Sequence, residues 1–121
     1  MPTIFETDWG IIEERIRDNE HTVAQITVFP QQIVPPHFHS RITETYIGRE
    51  GHGVVFLDTE MTNLEPGSEI VILAGTVHVT LNIHKEGNLI FNAICRGPYD
   101  PNDDHIVDYP EGIQQLINQQ I

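Results

Sequence analysis

The sequence predicts an all-β protein, a sandwich or barrel of short antiparallel strands with a short helix at the C-terminus. Short apolar or alternating runs recur along most of the 121 residues. Turn residues separate them at near-regular intervals: Asp18-Asn19, Arg49-Glu50-Gly51, Asp58-Thr59-Glu60, Pro66-Gly67 and Lys85-Glu86-Gly87-Asn88. No long helical periodicity competes with this pattern before the end of the chain.

Taken in order, the first element is ambiguous. Trp9, Ile12 and Ile16 fit one helical face, but Ile11–Arg17 also reads as an edge strand, and strand is the expectation. Thr22–Phe29 sets polar Thr22 and Gln25 against apolar Val23 and is ended by Pro30. Gly51–Asp58 is rich in Val and Phe, Ser68–Leu73 carries Ile70, Val71 and Ile72, and Val77–Ile83 alternates cleanly. Leu89–Cys95 is another apolar run. Gly97–Asp108, rich in Pro and Asp, is expected as a loop. After Pro110, the spacing of Ile113, Leu116, Ile117 and Ile121 predicts a helix, packed on the barrel or on a second subunit. The length suits one domain spanning 1–121.

Composition narrows the function classes. Eighteen acidic residues against 6 basic ones give a formal net charge of -12. Such a surface repels phosphate backbones and anionic lipid, which argues against nucleic-acid and membrane partners, and it attracts cations. A single cysteine, Cys95, excludes an internal disulfide and a Cys-rich zinc site, and within Leu89–Cys95 it reads as a core side chain. Met1–Phe5 lacks the basic-then-apolar pattern of a secretion signal, and no apolar stretch is long enough to span a bilayer. A cytoplasmic protein is expected.

The chemistry concentrates in Pro35-Pro36-His37-Phe38-His39-Ser40-Arg41-Ile42-Thr43-Glu44. In a strand, residues two apart share a face, so His37 and His39 project together while Phe38 points away. A turn at Ser40-Arg41 would start the next antiparallel strand and bring Glu44 back beside them. His78, Thr80 and Asn82 alternate on a later strand, after a tight turn at Gly75-Thr76. If that strand faces the first across a barrel interior, His78 adds a third imidazole. Three imidazoles and a carboxylate suit one divalent transition metal: Fe, Mn, Ni, Cu or Zn.

These two stretches resemble the paired motifs of the cupin superfamily. The first, G-x5-H-x-H-x4-E-x6-G, is met by His37, His39, Glu44 and Gly51, with Gln31 in place of the first glycine. The second, G-x5-P-x-G-x2-H-x3-N, is met by Gly67, Gly75, His78 and Asn82, with Leu73 in place of proline. The register runs from about Thr22 to Cys95. The resemblance implies a small single-domain cupin, an antiparallel β-barrel (double-stranded β-helix or jelly roll) holding one metal on His37, His39, Glu44 and His78.

It implies dioxygenase, decarboxylase, sugar isomerase or sugar-binding roles, and a homodimer. The leading expectation is a metal-dependent enzyme acting on a small polar substrate, with Glu44 and Tyr46 as catalytic candidates. His52 is the other acid–base candidate. The alternative is a non-catalytic module that binds a small ligand or sugar. A further reading makes Trp9 and the terminal helix a contact between copies. Tyr46 and Phe56 could line the cavity or be plain core. Asn82 is expected to fix a strand end, while His21, His52, His84 and His105 read as solvated. Arg41 and Arg96 are scarce cations, each expected in a surface pair unless it binds a substrate anion.

Overall fold

Alternation of apolar and polar residues makes the strands, and the side each strand buries decides how they assemble. The computed structural model describes residues 3–18, 20–96 and 101–121. Its strands are β1 (Thr3–Glu6), β2 (Gly10–Arg17), β3 (His21–Val28), β4 (Ile33–His39), β5 (Thr43–Glu50) and β6 (Gly53–Leu57). They continue with β7 (Glu60–Leu64), β8 (Glu69–Ile72), β9 (His78–Asn82), β10 (Leu89–Arg96) and β11 (Asp104–Ile106), followed by helix α1 (Ile113–Gln120). One antiparallel sheet runs β1-β2-β3-β10-β5-β8 and the other β11-β4-β9-β6-β7. This is the double-stranded β-helix the motifs imply, built as two facing sheets with open edges.

The main core lies between the sheets. Val28, Tyr46, Ile72 and Phe91 from one sheet meet Val34, Val55 and Leu64 from the other. A second core covers the outer face of the five-stranded sheet. There Val54 and Phe56 of β6 and Val79 and Leu81 of β9 lie beneath Ile113 and Ile117 of α1. Each such side chain contributes roughly 1.5–3 kcal/mol on burial. β6 and β9 are thus buried on both faces; β6 is accordingly a near-continuous apolar run, whereas β9 alternates, with Val79 and Leu81 outward and His78, Thr80 and Asn82 between them.

Gly10–Arg17 is the expected strand, and the expected terminal helix forms on the chain's own sheet. Trp9, partly buried, packs against the inner core, and α1 lays Ile113 and Ile117 on the outer face of its own sheet. Phe56 belongs to the outer core and not to the cavity. The expected loop Gly97–Asp108 is corrected in part: 101–103 form a single 3-10 turn and 104–106 pair with β4, while 97–100 lie outside the described residues. Asn19, of the expected turn after β2, also lies outside them.

The two motif departures fall in turns. Gln31 adopts φ 59°, the left-handed conformation that the pattern's glycine takes without strain. Leu73 opens a turn closed by Thr76 N donating to Leu73 O at 3.1 Å, with Gly75 at φ 86° inside it. The exposed Leu73 needs no special backbone there.

Candidate metal centre and its cavity

A bulge aims the histidines. Val34 pairs with Thr80, but the next register partners on the same two strands are His37 and His78, so β4 carries one residue more than β9 across this interval. The extra residue falls at Pro35-Pro36, two positions with no N–H to offer a ladder. Val34 faces the inner core, and strict alternation would turn His37 outward. The bulge reverses the parity and turns His37 and His39 inward, while Phe38 stacks outside on His105 at 4.8 Å.

The strand geometry differs from the expected one. β4 and β5 do not form a hairpin: after His39 the chain crosses to the other sheet, and Glu44 comes from β5. His78, expected across the interior, sits on the strand beside His37. The same four side chains nevertheless converge. One donor atom from each of His37, His39, Glu44 and His78 lies within 4.8 Å of every other.

All three rings are oriented by backbone carbonyls. Nδ1 of His37 meets Pro35 O at 2.8 Å, Nδ1 of His78 meets Thr76 O at 3.0 Å, and Nδ1 of His39 meets Asp103 O at 3.2 Å. A carbonyl can only accept, so each Nδ1 carries a proton, and in the neutral ring each Nε2 presents a lone pair inward. His39 Nε2 and His78 Nε2 each lie 3.2 Å from Glu44 Oε1. Glu44 Oε2 accepts from Cys95 Sγ at 3.5 Å.

The electrostatics are those of a cation site. Burial pushes the Glu44 carboxyl up, but His39 and His78 outweigh it and hold the group well below the usual carboxylate range. Burial lowers His39 while Glu44 more than compensates, leaving its imidazole raised; burial and then His78 lower His37. Glu44 Oε1 and His78 Nε2 are buried without a hydrogen-bond partner. Two acceptors facing each other at 3.2 Å, both buried, call for a positive charge between them. That separation is near the roughly 3 Å expected of two ligands bound at right angles to one ion at about 2.1 Å. The residues can therefore hold a metal ion.

Asp103 was not singled out by the sequence. Its carboxylate accepts from Ser40 N and Arg41 N, both at 3.0 Å, from Ser40 Oγ, and from His105 Nε2 at 3.2 Å. These bonds, that of Ser40 Oγ foremost, keep its carboxyl well below the usual range. With its own carbonyl on His39, Asp103 fixes both the crossover and a candidate ligand. The only sequence signal was its place in a Pro- and Asp-rich stretch.

A cavity of about 380 Å³ opens beside the cluster. His37, His39, Glu44 and Tyr46 form one end, and much of the remaining wall is apolar, including Trp9, Ile26 and Phe91. Tyr46 is buried, its ring 6.0 Å from that of His78 and 4.5 Å from that of Phe91. Burial, then Glu44, push its hydroxyl well above its ordinary value, so it stays protonated. His52 lies elsewhere, 3.4 Å from Asn63 Oδ1. Asn82 donates to Val28 O and Gly87 O and accepts from His84 N, which fixes the strand end as expected. His105 is drawn into the Asp103 network instead of being simply solvated.

A model of the family described as Cupin matches residues 14–108. The chain belongs to the cupin family. No curated protein sequence is significantly similar to this cupin. Among solved structures, a Streptomyces PAC13 variant with uridine is similar at 18% identity and TM-score 0.77, covering 93% of this chain and 90% of that one. A structure of Pac13, described as a unique nucleoside dehydratase, is similar at 17% identity and TM-score 0.74, over 89% and 86%. KdgF from Halomonas sp. is similar at 16% identity and TM-score 0.73, over 81% and 88%. At these identities the likeness is one of fold. Among the described residues no helix is long and apolar enough to cross a membrane.

Proposed function

We propose that this cupin is an enzyme that holds one divalent transition metal on His37, His39, Glu44 and His78 and acts on a small molecule in the adjoining cavity. The observation that carries the reading is the pair of buried acceptors, Glu44 Oε1 and His78 Nε2, facing each other at 3.2 Å without a donor. Such a metal polarises a substrate oxygen or serves as a redox centre.

The chain's own residues have separable tasks. The three imidazoles are oriented through their Nδ1 bonds, so that each Nε2 faces the cluster. Glu44 contributes charge through Oε1 while Cys95 holds Oε2 aside. Tyr46 lies two residues from Glu44 on the same strand face and is kept protonated, which fits a hydrogen-bond donor to a substrate oxygen. The reaction class stays broad: dioxygenation, decarboxylation, isomerisation or, by likeness to the nucleoside dehydratase, elimination of water. The largely apolar wall shifts the expected substrate from purely polar to part apolar.

Elemental analysis of protein purified without a His-tag or chelator is expected to find near-stoichiometric Fe, Mn, Ni, Cu or Zn. Glu44→Gln should lose most of that metal and all turnover. Failure to take up any of these ions on reconstitution would overturn the proposal. A second reading, a module that binds without chemistry, is favoured by the few titratable groups the cavity adds to the four candidate ligands. Ligand-induced stabilisation with no turnover of any substrate would select it. The packing of α1 on β6 and β9 supports 1–121 as one domain. The homodimer and the cytoplasmic location remain part of this proposal.

A further inference from the structure

The inner face of the six-stranded sheet gives the cavity two unlike ends. Register partners run in one row from Glu14 on β2 to Ala24 on β3, Ala93 on β10 and Tyr46 on β5. Strands about 4.8 Å apart place the backbone of Glu14 roughly 14 Å from that of Tyr46 along this row. Ala24 and Ala93, the two smallest side chains in it, form a shelf between the ends. Trp9, Ile26 and Phe91 line the same space.

The charges are equally unlike. At the Tyr46 end, a divalent ion held by the imidazoles and Glu44 would suit an oxygen-bearing head, with Asp104 pairing beside His39 on the neighbouring strand. At the other end stands Glu14, whose side chain is only 14% exposed. Among the described residues no Lys or Arg lines the cavity. Arg17, close by, is engaged with Glu14 at 3.4 Å, so an anionic group would have to compete with Glu14 for it.

We propose that the cavity selects molecules with an oxygen-bearing head and a ring-sized apolar body free of negative charge, and that Glu14 is the specificity residue that rejects a negative charge at the far end. Phosphate esters and dicarboxylates are excluded; neutral or cationic molecules are accepted. The head's placement rests on the metal reading above, whereas the body and the far end do not.

Four hydroxamic acids test this on the cobalt(II)-loaded full chain: acetohydroxamic, benzohydroxamic, 4-carboxybenzohydroxamic and 4-(aminomethyl)benzohydroxamic acid. Trp9 is the one tryptophan of the chain and lines the cavity, so its emission reports occupancy, while cobalt absorption separately reports the metal. Benzohydroxamic and aminomethyl compounds should bind at least about tenfold more tightly than the carboxy compound, a difference of roughly 1.4 kcal/mol. They should also outbind acetohydroxamic acid, and Glu14→Gln should narrow the gap between the two charged compounds. Equal affinity for the carboxy compound in the wild type overturns the exclusion, and an unchanged gap in Glu14→Gln overturns the role of Glu14. Acetohydroxamic acid binding as tightly as benzohydroxamic acid overturns the apolar body. Should no cobalt bind, the metal reading fails by itself, and the aromatic series read by Trp9 emission on metal-free protein must still show the charge order.

Discussion

Removing the Asp103 carboxylate takes an acceptor at once from Ser40, Arg41 and His105, and so loosens the crossover on which His39 ends. Asp103→Asn is expected to weaken metal binding roughly tenfold, as for other groups that orient ligands, in competition with a calibrated chelator. Its pH signature follows from its folded pKa, which is depressed. The stabilisation is full above the ordinary carboxylate value of about 4 and is lost as pH falls through the lower folded value. The melting-temperature gap between metal-free wild type and Asp103→Asn should therefore stay level near neutrality and shrink below about pH 4. A gap undiminished in strong acid would show that the carboxylate's charge is irrelevant. Gln31 carries the opposite sign of effect. With φ at 59° it bears a steric cost that glycine avoids. Gln31→Gly should stabilise by about 0.5 kcal/mol after glycine's extra chain entropy is subtracted. Denaturant titration checks this, and a loss of stability would mean that the glutamine side chain makes compensating contacts.

Among the elements, the bulge in β4 and the helix α1 shape the site from opposite sides of one sheet. Ile117 is 1% exposed against the outer face of the strands whose inner face carries His78. Ile117→Ala should cost about 2–4 kcal/mol, read from denaturant melts, while metal stoichiometry remains near one. Loss of metal at full stability would contradict this separation of helix from site. The elements also show what was legible beforehand. The sequence pattern revealed the central strands and the helix because burial writes a period into them. β1, β7 and β11 went unread because they are sheet edges, short and little buried, with weak alternation. The four candidate ligands were readable as chemistry, yet their partners were exchanged: spacing alone fits a hairpin return and a crossing between sheets equally well. Asp103 stayed hidden because its bonds go largely to backbone groups and His105, which no spacing rule reports. The inward aim of the histidines depends on one extra residue at Pro35-Pro36, visible only once the register of β4 against β9 is known.

At the scale of the whole molecule, a net charge of -12 acts against compactness. Raising sodium chloride from about 0.02 to 0.5 M shortens the screening length several-fold and should raise the melting temperature of the metal-free protein. A flat or falling curve in a light-scattering-clean sample would mean that local ion pairs outweigh the self-repulsion. The carbonyl that steadies His39 has a different consequence. It belongs to a residue 64 positions further along, and His78 reaches its partner His37 from 41 positions away. The site therefore cannot mature as the chain leaves the ribosome: when His37, His39 and Glu44 emerge, the segments that hold and complete them have yet to be made. Pairings of such long range close slowly, so the newborn protein must reach its final topology before the four candidate ligands come together, and capture of an ion there would record that folding has finished.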